Sequence, residues 1–203
     1  MDKIRQNSKV IGLYVGYFAI ICLLFFNKTD YYVDELFTYN LSNAQNWFAP
    51  ENGVVYTPAP QPFIDGMASN GDFDLSHVWQ QQANDTHPPF YYLLVHLVMC
   101  FFPGRISIRY PAIINIVFAL LTLFIFRKIL NVFIDKTGIV FGLSVAYCFA
   151  SGILSIISFL RMYVMAMFFV SLFSLCIIHG IEKMDLKRYI LMFITTVCGA
   201  LTH

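Results

Sequence analysis

Charge is scarce in this chain. Of its 203 residues only 12% are Asp, Glu, Lys or Arg and 58% are hydrophobic, whereas soluble domains carry about 25% charged residues. That shortage excludes an ordinary soluble domain. A mean hydropathy of +0.65, with several apolar runs close to the ~20 residues that cross a bilayer, sets the class as an integral membrane protein. Cysteine is also sparse. Cys22, Cys100, Cys148, Cys176 and Cys198 all lie in apolar segments, none at CxxC spacing, which argues against a disulfide scaffold and a thiolate zinc site. Neither GxGxxG nor a Walker loop occurs, so no motif supports a nucleotide-sugar or ATP site. The basic residues are dispersed between spans, which argues against a nucleic-acid partner. No small-x-small cleavage site follows the first apolar run, so the basic start reads as an anchor rather than a signal peptide.

Against this background one polar stretch stands out. Residues 27–87 hold eight acidic side chains against a single cation, Lys28, a net of −7. The stretch opens with Asp30-Tyr31-Tyr32-Val33-Asp34-Glu35 and closes with Asp85-Thr86-His87-Pro88-Pro89-Phe90-Tyr91-Tyr92. An acidic island among apolar spans is where chemistry is expected.

The chain order predicts an all-α membrane protein: polytopic transmembrane helices with juxtamembrane helices in a long first extracytoplasmic loop, residues 27–109, all within one transmembrane domain, 1–203. A first span covers 10–26. Residues 34–48 show helical periodicity, with Leu36, Phe37, Leu41, Ala44, Trp47 and Phe48 near one face, the pattern of a helix lying on the membrane surface. Asp34 and Glu35 fall in its first turn, where the helix dipole favours negative charge. Residues 49–75, rich in Pro and Gly, read as irregular loop, and 75–83 as a second short helix. The apolar run 88–103 is below the usual ~17–25 residues of a span. Keeping it on the outer side places nine Lys and Arg inside and four outside, as the positive-inside rule requires. Further spans then follow at 110–126, 137–158, 163–181 and 189–203. Arg127-Lys128 mark a cytoplasmic end. The last span stops at Thr202-His203 without a cap or polar tail, so the chain reads as a piece of something longer.

In this topology Asp30, Asp34, Glu35, Asp85, His87, Arg105, Arg109, Arg161 and His203 converge on the outer face. Ionisable groups next to a bilayer are costly and default to functional candidates. A carboxylate suits a general base toward an acceptor hydroxyl, and arginines suit a phosphate. Plainer readings stand beside these. Asp34 fits a helix N-cap, His87 a helix start before Pro, and Arg105 and Arg109 snorkelling anchors. His96 and His179 read as structural. The loop acids Asp65, Asp72 and Asp74 read as solvated charges, with a divalent cation among them as the alternative.

Four motifs, in order, resemble the GT-C superfamily of lipid-linked-sugar glycosyltransferases. The likeness is to the glycosyltransferase family 39 type, which includes protein O-mannosyltransferases and the bacterial aminoarabinose transferase of lipid A. They are Asp34-Glu35 shortly after the first span, Asp85-Thr86-His87-Pro88-Pro89-Phe90-Tyr91-Tyr92, Arg109-Tyr110-Pro111-Ala112 opening the next span, and Arg161-Met162-Tyr163 at a later outer end. Thr202-His203 resembles a further position where a basic residue returns to the outer face. The resemblance implies inverting transfer of a sugar from a polyprenyl-phosphate donor, bound in the membrane, to a hydroxyl of a glycan, lipid or protein acceptor. It implies Asp34 as base and Glu35 as the group orienting acceptor or base. Asp85, His87, Arg109, Arg161, Tyr163 and His203 fall on the donor-phosphate side. The lipid-linked sugar is the only small molecule implied. The rival expectations are a non-catalytic membrane protein, such as a transporter subunit or lipid-binding partner, and an inactive fragment.

Overall fold

A computed structural model describes residues 2–44, 51–55, 57, 61–182 and 185–203. Among the described residues the chain is all helical. The elements are α1 (Asp2–Asn27), α2 (Val33–Asn43), α3 (Gln61–Met67), α4 (Leu75–Ala83), α5 (Phe90–Met99), α6 (Ala112–Phe133), α7 (Thr137–Phe149), α8 (Ser151–Ser158), α9 (Tyr163–Glu182) and α10 (Leu186–Ala200). Three stretches, Gln6–Asn27, Ala112–Phe133 and Tyr163–Gly180, are long and apolar enough to cross a membrane. A fourth span exists if the bent pair α7–α8 counts as one. The chain is therefore a helical membrane protein. Large apolar side chains such as Ile11, Val15 and Leu23 on α1 face outward, as lipid-facing positions do. Tyr17, Ile21 and Phe25 turn inward and join the core cluster that also holds Ala119 and Leu123 of α6.

The helix ends follow from local chemistry. Asn27 donates from Nδ2 to the Leu23 carbonyl at 2.8 Å, satisfying one of the orphan acceptors that close a helix, and α1 stops there. Asp74 is the N-cap of α4 and accepts from the His77 amide at 3.1 Å. Asp185 does the same for α10 through the Arg188 amide at 3.0 Å. Both caps are the short acidic type favoured at that position.

Several expectations are corrected by the structure. First, α2 is no surface helix. Its expected solvent side is buried, including Thr38, Asn40, Ser42 and Asn43, because α3, α4 and α5 pack over it. The polar groups find partners: Ser42 donates to the Thr38 carbonyl at 2.7 Å and Asn43 to the Met67 carbonyl at 2.9 Å. The predicted continuation to 48, with Trp47 and Phe48, lies outside the described residues. Second, the predicted loop contains α3. Gly66 brings it close to α2, since a Cβ there would lie 2.8 Å from Asn40 Nδ2. Third, α6 runs on to Phe133, so Arg127 and Lys128 sit inside the helix rather than after it. No Gly or Pro between 127 and 133 interrupts it. Fourth, 137–158 is bent by 51° at Ala150, which is extended (φ −63°, ψ 122°).

Elsewhere expectation and structure agree. α4 occupies 75–83, and Asp34 and Glu35 lie in the first turn of α2. α5 has 10 residues, about 15 Å of helix, too short to span. The span expected at 189–203, by contrast, is not met: α10 covers Leu186–Ala200, 15 residues or about 22 Å. It is shorter than the ~30 Å hydrocarbon layer and is not among the stretches long and apolar enough to cross.

Candidate functional site

Arg161 sits in the short link between α8 and α9 with only 5% of its surface exposed. Its guanidinium reaches four acceptors, all uncharged. Nη1 donates to the Asp34 carbonyl at 3.3 Å, to Thr38 Oγ1 at 3.4 Å and to Tyr92 Oη at 3.4 Å, and Nη2 donates to His87 Nε2 at 3.1 Å. Its Nε is buried and has no hydrogen-bond partner among the described residues. No carboxylate pairs with it: the ion pairs among the described residues are Lys28–Glu35 and His87–Asp85. A buried cation left without a counter-charge is costly, and this one is aimed at neutral dipoles.

His87 links Arg161 to Asp85. Its Nδ1 lies 2.9 Å from Asp85 Oδ2. A neutral ring with its proton on Nδ1 satisfies both contacts, donating to Asp85 and accepting from the guanidinium at Nε2. Burial raises the Asp85 carboxyl, but hydrogen bonds from the His87 side chain and from the Thr86 and His87 amides outweigh it. The group therefore stays below its ordinary value. Asp85 is thus an anion at neutral pH, one residue removed from the guanidinium. A cleft of about 340 Å³ opens beside this pair, walled by Trp79, Gln82, Pro88 and Leu201.

The two carboxylates read as a catalytic pair separate completely. Asp34 is exposed and its carboxylate bonds to none of the described residues, while its own carbonyl receives Arg161. Glu35 is fully buried. Its Oε1 accepts from Lys28 Nζ at 2.5 Å and from the Leu160 amide at 2.7 Å, and its Oε2 accepts from the Tyr32 amide at 2.9 Å. Lys28 also donates to the Ser158 carbonyl at 2.9 Å. Glu35, together with Lys28, therefore ties the α1–α2 link to the end of α8 and the start of the α8–α9 link, which leaves it unsuited to handling an acceptor. Sequence reasoning missed Lys28 as its partner, although the only cation in the acidic stretch was the available signal.

The other predicted residues divide in the same way. Arg109 is exposed, donates from Nη2 to the Phe26 carbonyl at 3.2 Å and lies over the Phe26 ring at 5.2 Å. It caps the C-terminus of α1, where a cation complements the helix dipole, and shares no partner with Arg161. Arg105 contacts Tyr110 Oη at 3.4 Å. Tyr163 opens α9, stacked on Phe159 with centroids 6.1 Å apart and 5.8 Å from the ring of His203. The α10 end reaches this region because the Phe90 amide donates to the Leu201 carbonyl at 2.9 Å.

His96 is structural, as expected: it is buried, with Nε2 3.0 Å from the Asp72 carbonyl and Nδ1 3.3 Å from Asn43 Oδ1. Asp65, Asp72 and Asp74 are exposed. Among the described residues no group of three or more His, Cys, Asp or Glu is disposed to hold a metal ion.

Asn115 is a residue that periodicity does not reveal. Buried near the start of α6, it donates to the Ile157 and Phe159 carbonyls at 2.9 Å each and accepts from Tyr91 Oη at 2.9 Å. It fixes the end of α8 and so the position of Arg161. A polar residue inside an apolar span was its only sequence signal.

Comparison with protein-family models, with curated proteins and with solved structures finds no match. The fold and the site define a helical membrane protein carrying a buried, unpaired guanidinium and an exposed free carboxylate on neighbouring segments.

Proposed function

We propose that the chain is a membrane glycosyltransferase of the GT-C type, or part of one, working on the extracytoplasmic face of the cell membrane with its N-terminus in the cytoplasm. The observation that supports this reading is Arg161: a buried cation without a counter-anion, contacting the backbone of the residue whose carboxylate is free. The vacant charge suits the phosphate of a polyprenyl-phosphate sugar, because guanidinium–phosphate hydrogen bonds are charge-assisted. Asp34 takes the proton of the acceptor hydroxyl. That oxygen attacks the anomeric carbon, the bond from this carbon to the phosphate oxygen breaks, and polyprenyl phosphate leaves with its charge held by Arg161. His87, positioned by Asp85, sets the guanidinium. Glu35 is here a positioning residue rather than a second catalytic group. The non-catalytic alternative, a transporter subunit or lipid-binding partner, shares the anion site and gives Asp34 no role.

The test is transfer of radiolabelled sugar from polyprenyl-phosphate-linked hexoses and pentoses in membranes containing the protein. Asp34→Asn is expected to abolish transfer while retention of the labelled donor persists, and Arg161→Gln to weaken retention itself. Undiminished transfer by Asp34→Asn would remove Asp34 as base. Donor retention without any turnover in the unaltered protein would favour the non-catalytic alternative.

A further inference from the structure

The opposite end of the helix bundle carries a second charged feature. Lys9 lies 18 residues before the end of α1, about 27 Å along the helix axis, so this end and the Arg161 end belong to opposite membrane faces. On α6, Phe124, Arg127, Lys128 and Asn131 fall at i, i+3, i+4 and i+7, one helix face. Val10, Ile11, Tyr14 and Val15 of α1 stand against them. These eight residues wall a groove of about 440 Å³. A second cleft of about 320 Å³ adjoins it, sharing Val10 and Arg127 and adding Gln6, Lys9 and Thr137.

The two recesses differ in chemistry. The first is apolar along its length, with Ile11, Val15 and Phe124 turned outward on helices long enough to span. The second is polar and cationic. Arg127 stands at their junction and is fixed there: Nη1 donates to Ser144 Oγ at 3.1 Å, and that buried hydroxyl donates to the Val140 carbonyl at 2.6 Å. Lys128 lies over the Phe124 ring at 5.4 Å. Among the described residues none of Lys9, Arg127 and Lys128 is ion-paired.

We propose that this groove is a binding site for an anionic glycerophospholipid. One acyl chain lies along Val10–Val15 and Phe124, and the phosphate head lies among Lys9, Arg127 and Lys128. At bilayer depth the occupant of an apolar groove is a lipid chain, and the three unpaired cations at its mouth select a negative head. The site is independent of the glycosyl-transfer reading.

The experiment is native mass spectrometry of the detergent-solubilised protein in mixed micelles of phosphatidylglycerol and phosphatidylcholine. With about 1 kcal/mol from each of three cations near the head group, retention of phosphatidylglycerol is expected to exceed that of phosphatidylcholine by about a hundredfold. Arg127→Gln and Lys128→Gln should each lower that ratio about fivefold, the equivalent of about 1 kcal/mol per cation near an anionic surface. Arg127→Lys keeps the charge and should keep most of the ratio, which separates loss of the site from loss of the fold. Lys187→Gln, on α10, should leave it unchanged. Equal retention of the two lipids would overturn the proposal. So would an equal effect of Lys187→Gln, which would mean general basicity, or full displacement by inorganic phosphate, which would mean a site for the head alone.

Discussion

The ring of His87 lies between a guanidinium and a carboxylate: Nε2 is 3.1 Å from Arg161 Nη2 and Nδ1 is 2.9 Å from Asp85 Oδ2. Asp85 and Arg161 therefore act on each other through one imidazole rather than by direct pairing. The histidine holds the arginine without neutralising it, so the positive charge remains available to a ligand.

This relationship gives a pH dependence. Asp85 is held below its ordinary value in the folded protein, so its contribution to stability is present above the unfolded value of about 3.9 and is lost as pH falls through the folded value. Unfolding of the unaltered protein and of Asp85→Asn, followed by intrinsic fluorescence, should differ clearly at pH 6. The two curves should converge at the acid end. A difference independent of pH would contradict the assignment.

Glu35 and Lys28 supply a second prediction. The carboxylate is fully buried and the ammonium nearly so. Breaking such a pair from one side strands a charge and costs about 3–5 kcal/mol. Glu35→Ala should therefore destabilise by about that amount, and Lys28→Met by less because its partner keeps two amide donors. The double variant Lys28→Met/Glu35→Leu should be milder than the sum of the two, a coupling that a double-mutant cycle measures.

A third prediction concerns the approach of α3 to α2. A Cβ on residue 66 would stand 2.8 Å from Asn40 Nδ2 and 3.1 Å from Ala44 Cβ, so Gly66→Ala overpacks the contact at about 1–3 kcal/mol. Hydrogen exchange should report faster opening of α2 amides in that variant, with α9 amides unaffected.

Much of the fold is legible in the sequence, because apolar length and helical period report directly on burial in lipid. The α4 bounds, the short α5 and the acidic first turn of α2 were all readable. What periodicity could not report is packing between elements of the same loop. The polar side of α2 looked solvated because Thr38, Ser42 and Asn43 are polar, yet carbonyls satisfy them, Asp34 and Thr38 of the same helix for the two hydroxyls and Met67 for Asn43. α3 was hidden because Pro and Gly signal a break without saying what stands between two breaks. The Ala150 bend has no Pro, and its local signal was the Ser151-Gly152 pair that follows it, a weak helix breaker easily passed over inside an apolar run. At the site, Arg161, His87 and Asp85 come together as the convergence argument required. Arg109 and Glu35 were drawn elsewhere by partners, Phe26 and Lys28, that spacing alone does not reveal.

The bend at Ala150 has a consequence for control at a distance. Because α8 leaves α7 at an angle, Ser158 and Leu160 reach Lys28 and Glu35, and Arg161 reaches Asp34 and His87. Straightening the helix would withdraw all of these contacts together. A substitution that changes this angle, at a residue touching none of the charged groups, would thus dismantle the proposed anion site as effectively as removing its arginine.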